Sequence, residues 1–179
     1  MKEITQEETK KIEKAIGFLV NNFAKSGKNP KPVIFHSLEV AFYLLEQGYK
    51  TELVIAAILH DILEDTEVRE DDLSKIFGKN ITSIIKSVSY SEEIKNWTER
   101  YRDVFQRTIE RGRGASILKC ADIYQNSFYI KLVKNIEFQK RLIKKIGYFL
   151  KYSKNVIGDE VTWRDLKKQY EAEKKRTNY

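Results

Sequence analysis

Cysteine, proline, glycine and histidine are all scarce in this chain, and each scarcity removes a class of protein. The single Cys120 cannot close an internal disulfide, so a disulfide-framed secreted scaffold is excluded and a reduced, cytoplasmic setting is expected. Two prolines and eight glycines in 179 residues leave too few turn-forming positions for a strand-and-turn architecture. No run of about 18 apolar residues occurs and no basic-then-apolar leader opens the chain, so neither a membrane span nor a secretory signal is expected. With only two histidines, His36 and His60, every imidazole can belong to one site.

What is present favours helix. Residues that are 41% hydrophobic and 12% aromatic suffice for a buried core without a structural metal, and the length suits one compact domain, 1–179. The expected class is all-α, a compact helical bundle. Ile12, Ala15, Ile16, Leu19, Val20 and Phe23 recur every three or four residues and predict a helix over about 5–24. A loop rich in Gly, Asn, Lys and Pro is expected from Ser26 to Pro32, then helices over about 34–47, with Gly48 placed for a C-terminal cap, and 51–63. Short helices over 71–77 and 81–88 follow, then helices over 97–111, from 116 onward to before Asn135, and over 136–152. A final charged helix over 160–175 docks by Trp163, Leu166 and Tyr170, with an end expected to fray. The C-terminal helices therefore occupy 136–175.

A net charge of +7, from 33 basic and 26 acidic residues, fits an anionic partner but does not separate nucleic acid from phosphorylated small molecules. The lysines are interspersed with acids, as on solvated helix faces, and no basic stripe with interleaved aromatics marks a nucleic-acid module. Arg100, Arg102, Arg107, Arg111 and Arg113 are the densest arginine group and the candidate phosphate contacts.

Chemistry concentrates where His60, Asp61, Glu64 and Asp65 close an apolar helix. Two neutral imidazoles and two carboxylates, His36, His60, Asp61 and Asp122, suit a divalent first-row metal such as Mn²⁺, Fe²⁺ or Zn²⁺. Such an ion would lower the pKa of a bound water and neutralise charge on phosphorus. On a helix Glu64 projects from the same side as His60 and Asp61, one turn on, with Asp65 beside it; these acids can prepare an attacking water. Asp122 interrupts an otherwise apolar run, and a buried carboxylate there needs a partner; Asn126, four residues on, shares its face. The blander alternatives are a surface His-Asp pair and a turn beginning at Glu64-Asp65.

At these residues the chain resembles the HD-domain metal-dependent phosphohydrolases, whose pattern is a histidine, a His-Asp pair and a distant aspartate, here His36, His60-Asp61 and Asp122. More narrowly, the stretch from Ala56 to Thr66, with its His-Asp-x-x-Glu-Asp core, resembles the hydrolase domain of stringent-response enzymes and the small alarmone hydrolases. His36 to Ala41, Phe77-Gly78, Trp97 to Arg102, and Leu118 to Asp122 with Asn126 extend the likeness over about residues 10–135. The resemblance implies an HD helical fold, bound Mn²⁺, and removal of pyrophosphate from the 3′ position of ppGpp or pppGpp. It implies metal ligation by His36, His60, Asp61 and Asp122, water positioning by Glu64 and Asp65, and nucleotide contact by Asn126. Lys25 is the expected second nucleotide contact. The chain departs from the family pattern in its first loop, at Ser37 where a proline is usual, and at Ile123 where a basic residue is usual. A nucleotidase acting on another phosphorylated nucleotide and a non-catalytic nucleotide-binding module are the alternative readings.

Overall fold

The computed structural model describes residues 4–27, 32–91 and 93–179. The elements are α1 (Gln6–Ser26), α2 (Val33–Glu46), α3 (Thr51–Ile58), α4 (Ile62–Asp65), α5 (Glu70–Phe77), α6 (Lys79–Val88), α7 (Trp97–Arg111), α8 (Arg113–Ser127), a 3₁₀ turn (Ile130–Leu132), α9 (Ile136–Ile157) and α10 (Val161–Thr177). The fold is all-α, with no strand among the described residues. None of these helices is long and apolar enough to cross a membrane.

Helix α3 lies at the centre because it is apolar on every face: Val54, Ile55, Ala56, Ala57 and Ile58, and Leu59 just beyond, are all buried. Helices α1, α2, α6 and α8 pack around it. α1 presents the expected stripe of Ile12, Ala15, Leu19 and Phe23, whereas Val20 falls on the solvent side. Its start is fixed by a capping box between Thr5 and Glu8. α8 is the second buried axis, with every residue from Ala115 to Ile123 inside, including Lys119 and Asp122. Tyr43 and Tyr49 donate hydrogen bonds of 2.7 Å to Asp165 and Glu160, tying the α2 side of the core to α10 and the turn before it.

Three expectations are corrected. The helix over 51–63 is broken: α3 stops at Ile58, and His60 and Asp61 occupy a turn before α4. The His60 Nδ1–H donates to Ala57 O at 2.7 Å, taking the acceptor that the Asp61 amide would use if the helix ran on. α9 continues to Ile157, which is fully buried, instead of ending near Tyr152. The end of α10 is held, since Glu173 and Thr177 are buried and Arg176 bonds both Glu173 and Gln139 of α9. Of the loop expected from Ser26 to Pro32, residues 28–31 lie outside the described residues, and Ser26 closes α1.

Candidate metal centre

Four segments meet at one point: the first turn of α2 brings His36, the break after α3 brings His60 and Asp61, α4 brings Glu64, and α8 brings Asp122 and Asn126. His36 Nε2 lies 3.2 Å from Asp122 Oδ1, and the two imidazoles meet edge to face with centroids 5.4 Å apart. One ligand atom from each of His36, His60 and Asp122 falls within a span of 4.8 Å. Asp61 joins through His60, its Oδ1 being 3.1 Å from His60 Nε2.

The donor set fits a cation. His60 is 1% exposed, and with Nδ1 committed to Ala57 O its lone pair at Nε2 faces the cluster. That Nε2 is buried, 3.1 Å from Asp61 Oδ1 and 3.8 Å from Asp122 Oδ1, yet makes no hydrogen bond. A buried nitrogen without a partner costs free energy in a purely structural cluster, whereas a metal ion would satisfy it. The backbone-anchored second nitrogen is the usual means of orienting a ligating imidazole.

Electrostatics divides the acids into two kinds. Burial disfavours charge on Asp122, but the Lys119 ammonium and the two imidazoles outweigh it and hold the carboxyl well below the usual range. Burial, joined by the neighbouring Asp61 charge, pushes Glu64 the other way, up to about 7, against the opposing pull of Lys119 and the Tyr90 amide. The Tyr90 N–H fixes Glu64 by donating to Oε1 at 2.9 Å. In the metal-free protein Glu64 thus titrates near neutrality.

Asn126 Nδ2 donates to Asp122 Oδ1 at 2.6 Å and lies 3.4 Å from His36 Nε2, while the residue itself is exposed, so it forms the rim of the cluster. Asp65 ends α4, half-buried, its amide bonded to Asp61 O at 3.1 Å. Lys25 stands apart, exposed in the last turn of α1. There it lines a cavity of about 320 Å³ with Asn22, Ser26 and Asp72, and with Glu67 and Val68 from the segment after α4.

The arginine group is structural in most of its members. Arg107 donates to Lys86 O, Ser89 O and Asp103; Arg111 to Ser83 and Asn80; Arg113 to Val156 O and Asp159; Arg100 to Ile94 O. The bonds of Arg107, Arg111 and Arg113 tie helices together and engage their terminal guanidinium nitrogens, whereas Arg100 bonds through Nε alone to the segment before α7. Sequence reasoning passed over Lys119. It is buried, and its Nζ pairs with Asp122 Oδ2 at 2.9 Å; the available signal was a lysine inside an apolar run, three residues before a buried carboxylate. Tyr90 was also missed, and because it acts through its amide no side-chain pattern announces it.

Comparison with known proteins gives concordant results. The model of the HD domain family matches residues 15–123. The guanosine-3′,5′-bis(diphosphate) 3′-pyrophosphohydrolase of Aquifex aeolicus is 35% identical over 102 residues, covering 55% of this chain and 14% of that protein. The bifunctional (p)ppGpp synthase/hydrolase SpoT of Escherichia coli is 28% identical over 123 residues, covering 67% of this chain and 16% of that protein. The chain thus spans less than a fifth of the length of these curated relatives. Among solved structures, a metazoan ortholog of SpoT described as hydrolysing ppGpp superposes with a TM-score of 0.76 at 16% identity, covering 98% of both chains. A protein from Listeria monocytogenes EGD-e superposes with a TM-score of 0.66 at 21% identity, covering 77% of this chain and 94% of that one. Both likenesses are of fold.

Proposed function

The chain belongs to the HD domain family, and from that premise we propose that it is a metal-dependent hydrolase that removes the 3′-pyrophosphate of (p)ppGpp-like nucleotides. The observation that carries the metal reading is His60 Nε2, buried and without a hydrogen-bond partner between two carboxylates and a second imidazole. Support for the substrate comes from the His60-Asp61-x-x-Glu64-Asp65 sequence and from relatives named as 3′-pyrophosphohydrolases. The reading takes residues 1–179 as one domain, supported by a continuous set of buried side chains from Ile12 to Leu166, working in the cytoplasm.

In this reading His36, His60, Asp61 and Asp122 hold Mn²⁺ or another divalent first-row ion. The bound ion supplies Lewis-acid stabilisation of negative charge at the phosphorus and makes the attacking water more acidic. Glu64, fixed by the Tyr90 amide, takes the proton from that water, and Asp65 beside it helps orient the water. Asn126, on the rim of the ligand cluster, contacts the nucleotide. Lys25 meets an anionic part of the nucleotide from its cavity beside Glu67.

Substitution and substrate choice test this together. Glu64→Gln is expected to keep metal and lose turnover, by roughly 10²–10⁴-fold for a lost general base. The intact protein is expected to release pyrophosphate from ppGpp and no phosphate from a nucleoside monophosphate. Phosphate from the monophosphate alone would keep the metal site and replace the substrate; full activity of Glu64→Gln would remove Glu64 from its role.

A further inference from the structure

We propose that Lys119 is a positioning residue for Asp122, holding one carboxylate oxygen so that only the other faces the metal site, and thereby weakening the site's grip on the cation. The inference rests on the reading of Asp122 as a metal ligand.

Lys119 carries a charge into the core, and bonding the last carbonyl of α6 does not require one. Its side chain is 3% exposed, and its Nζ has three partners: Asp122 Oδ2 at 2.9 Å, Val88 O at 3.0 Å and the face of the Tyr90 ring at 4.9 Å from its centroid. Desolvating an ammonium is costly even when it is paired, and an apolar residue of similar volume commonly replaces a buried ion pair without loss of stability. The neighbouring helix positions Leu118, Cys120 and Ala121 are fully buried and uncharged, so a methionine at 119 fits the core in volume and polarity, and its cost is the Val88 carbonyl left without a donor.

What the lysine does is divide Asp122. Oδ1 receives Asn126 Nδ2 at 2.6 Å, sits 3.2 Å from His36 Nε2 and lies 3.8 Å from His60 Nε2; Oδ2 is given to Lys119. Chelation of one ion by both oxygens would require breaking the buried ion pair. The ammonium also places a positive charge behind a site whose negative charge comes from the Asp61 and Asp122 carboxylates. A cation bound at the cluster is repelled by Lys119 and meets a carboxylate whose charge is already partly neutralised. A weaker grip leaves the ion a stronger Lewis acid toward a substrate oxygen.

The test is Mn²⁺ binding without substrate, read by calorimetry and by the paramagnetic resonance signal of free Mn²⁺, for wild type, Lys119→Met and Lys119→Gln. Folding of each is checked by urea denaturation. Methionine frees Oδ2 and removes the charge, whereas glutamine removes the charge and keeps a donor, so it carries the test if the methionine variant fails to fold. At least tenfold tighter Mn²⁺ binding is expected in a folded variant. Unchanged or weaker binding would overturn the inference while leaving the metal site intact. Loss of fold in both variants would overturn it too, because the ion pair would then be part of the core's structure. A wild-type protein that takes up no Mn²⁺ or other divalent ion would remove this inference together with the metal reading beneath it.

Discussion

Replacing Glu64 by glutamine should stabilise the metal-free protein while stopping its chemistry. Glu64 is held up at about 7, against an ordinary value of 4.5, first by burial and then by the Asp61 charge. Between those two values the folded protein keeps a proton that the unfolded chain has released, so wild-type stability falls as pH rises through the window. The contribution is complete below about 4.5 and gone above about 7. A shift of this size corresponds to about 3 kcal/mol at 1.36 kcal/mol per unit. Glutamine keeps the shape and can still accept the Tyr90 amide bond, but has no charge to bury. The two proteins should therefore be equally stable near pH 4.5, with the variant ahead by about 3 kcal/mol at pH 8, or roughly 6–12 °C in Tm for a domain of this size. Urea denaturation of both proteins in EDTA across pH 4.5–8 makes the comparison, and ionisations common to both cancel in the difference. A constant difference across that range would refute the reasoning, because it would mean that Glu64 is charged in the folded state at every pH tested.

Three further outcomes are expected. His60→Ala should abolish measurable Mn²⁺ binding in calorimetry, exceeding the roughly 10–100-fold loss typical of residues that only orient a ligand; retained affinity would show that His60 is a structural histidine. Mn²⁺ at about 100 times its Kd should stabilise the wild type by about 2.7 kcal/mol in thermal denaturation, and the effect should vanish in His60→Ala. Arg107→Ala should destabilise the fold by about 1–3 kcal/mol in urea, because it leaves the carbonyls of Lys86 and Ser89 without their guanidinium donor, while KM stays unchanged. A raised KM with unchanged stability would instead restore Arg107 as a phosphate contact.

Much of the fold and the site was legible in the residues, for identifiable reasons. Apolar positions at helical spacing exposed α1 and α10, since their buried faces are narrow and their outer faces charged. The break after α3 was hidden, because apolar residues continue on both sides of it and the cause is a side-chain bond from His60 to Ala57 O that no periodicity records. Scarcity of histidine made the pairing of His36 with His60 readable, and the isolated Asp122 drew attention through its apolar neighbours. Lys119 sat in that same run and escaped notice, since a lone lysine looks like a solvated face until its burial is known. The arginines misled for the opposite reason: sequence shows their density but not the carbonyls and acids that already occupy them.

The central claim is a metal-dependent 3′-pyrophosphohydrolase, and it is met most directly by incubating the purified protein with ppGpp and Mn²⁺, beside an EDTA control, and identifying both products. The account predicts pyrophosphate and GDP with Mn²⁺ and neither with EDTA. Intact ppGpp in the presence of Mn²⁺, or pyrophosphate release undiminished by EDTA, would contradict it.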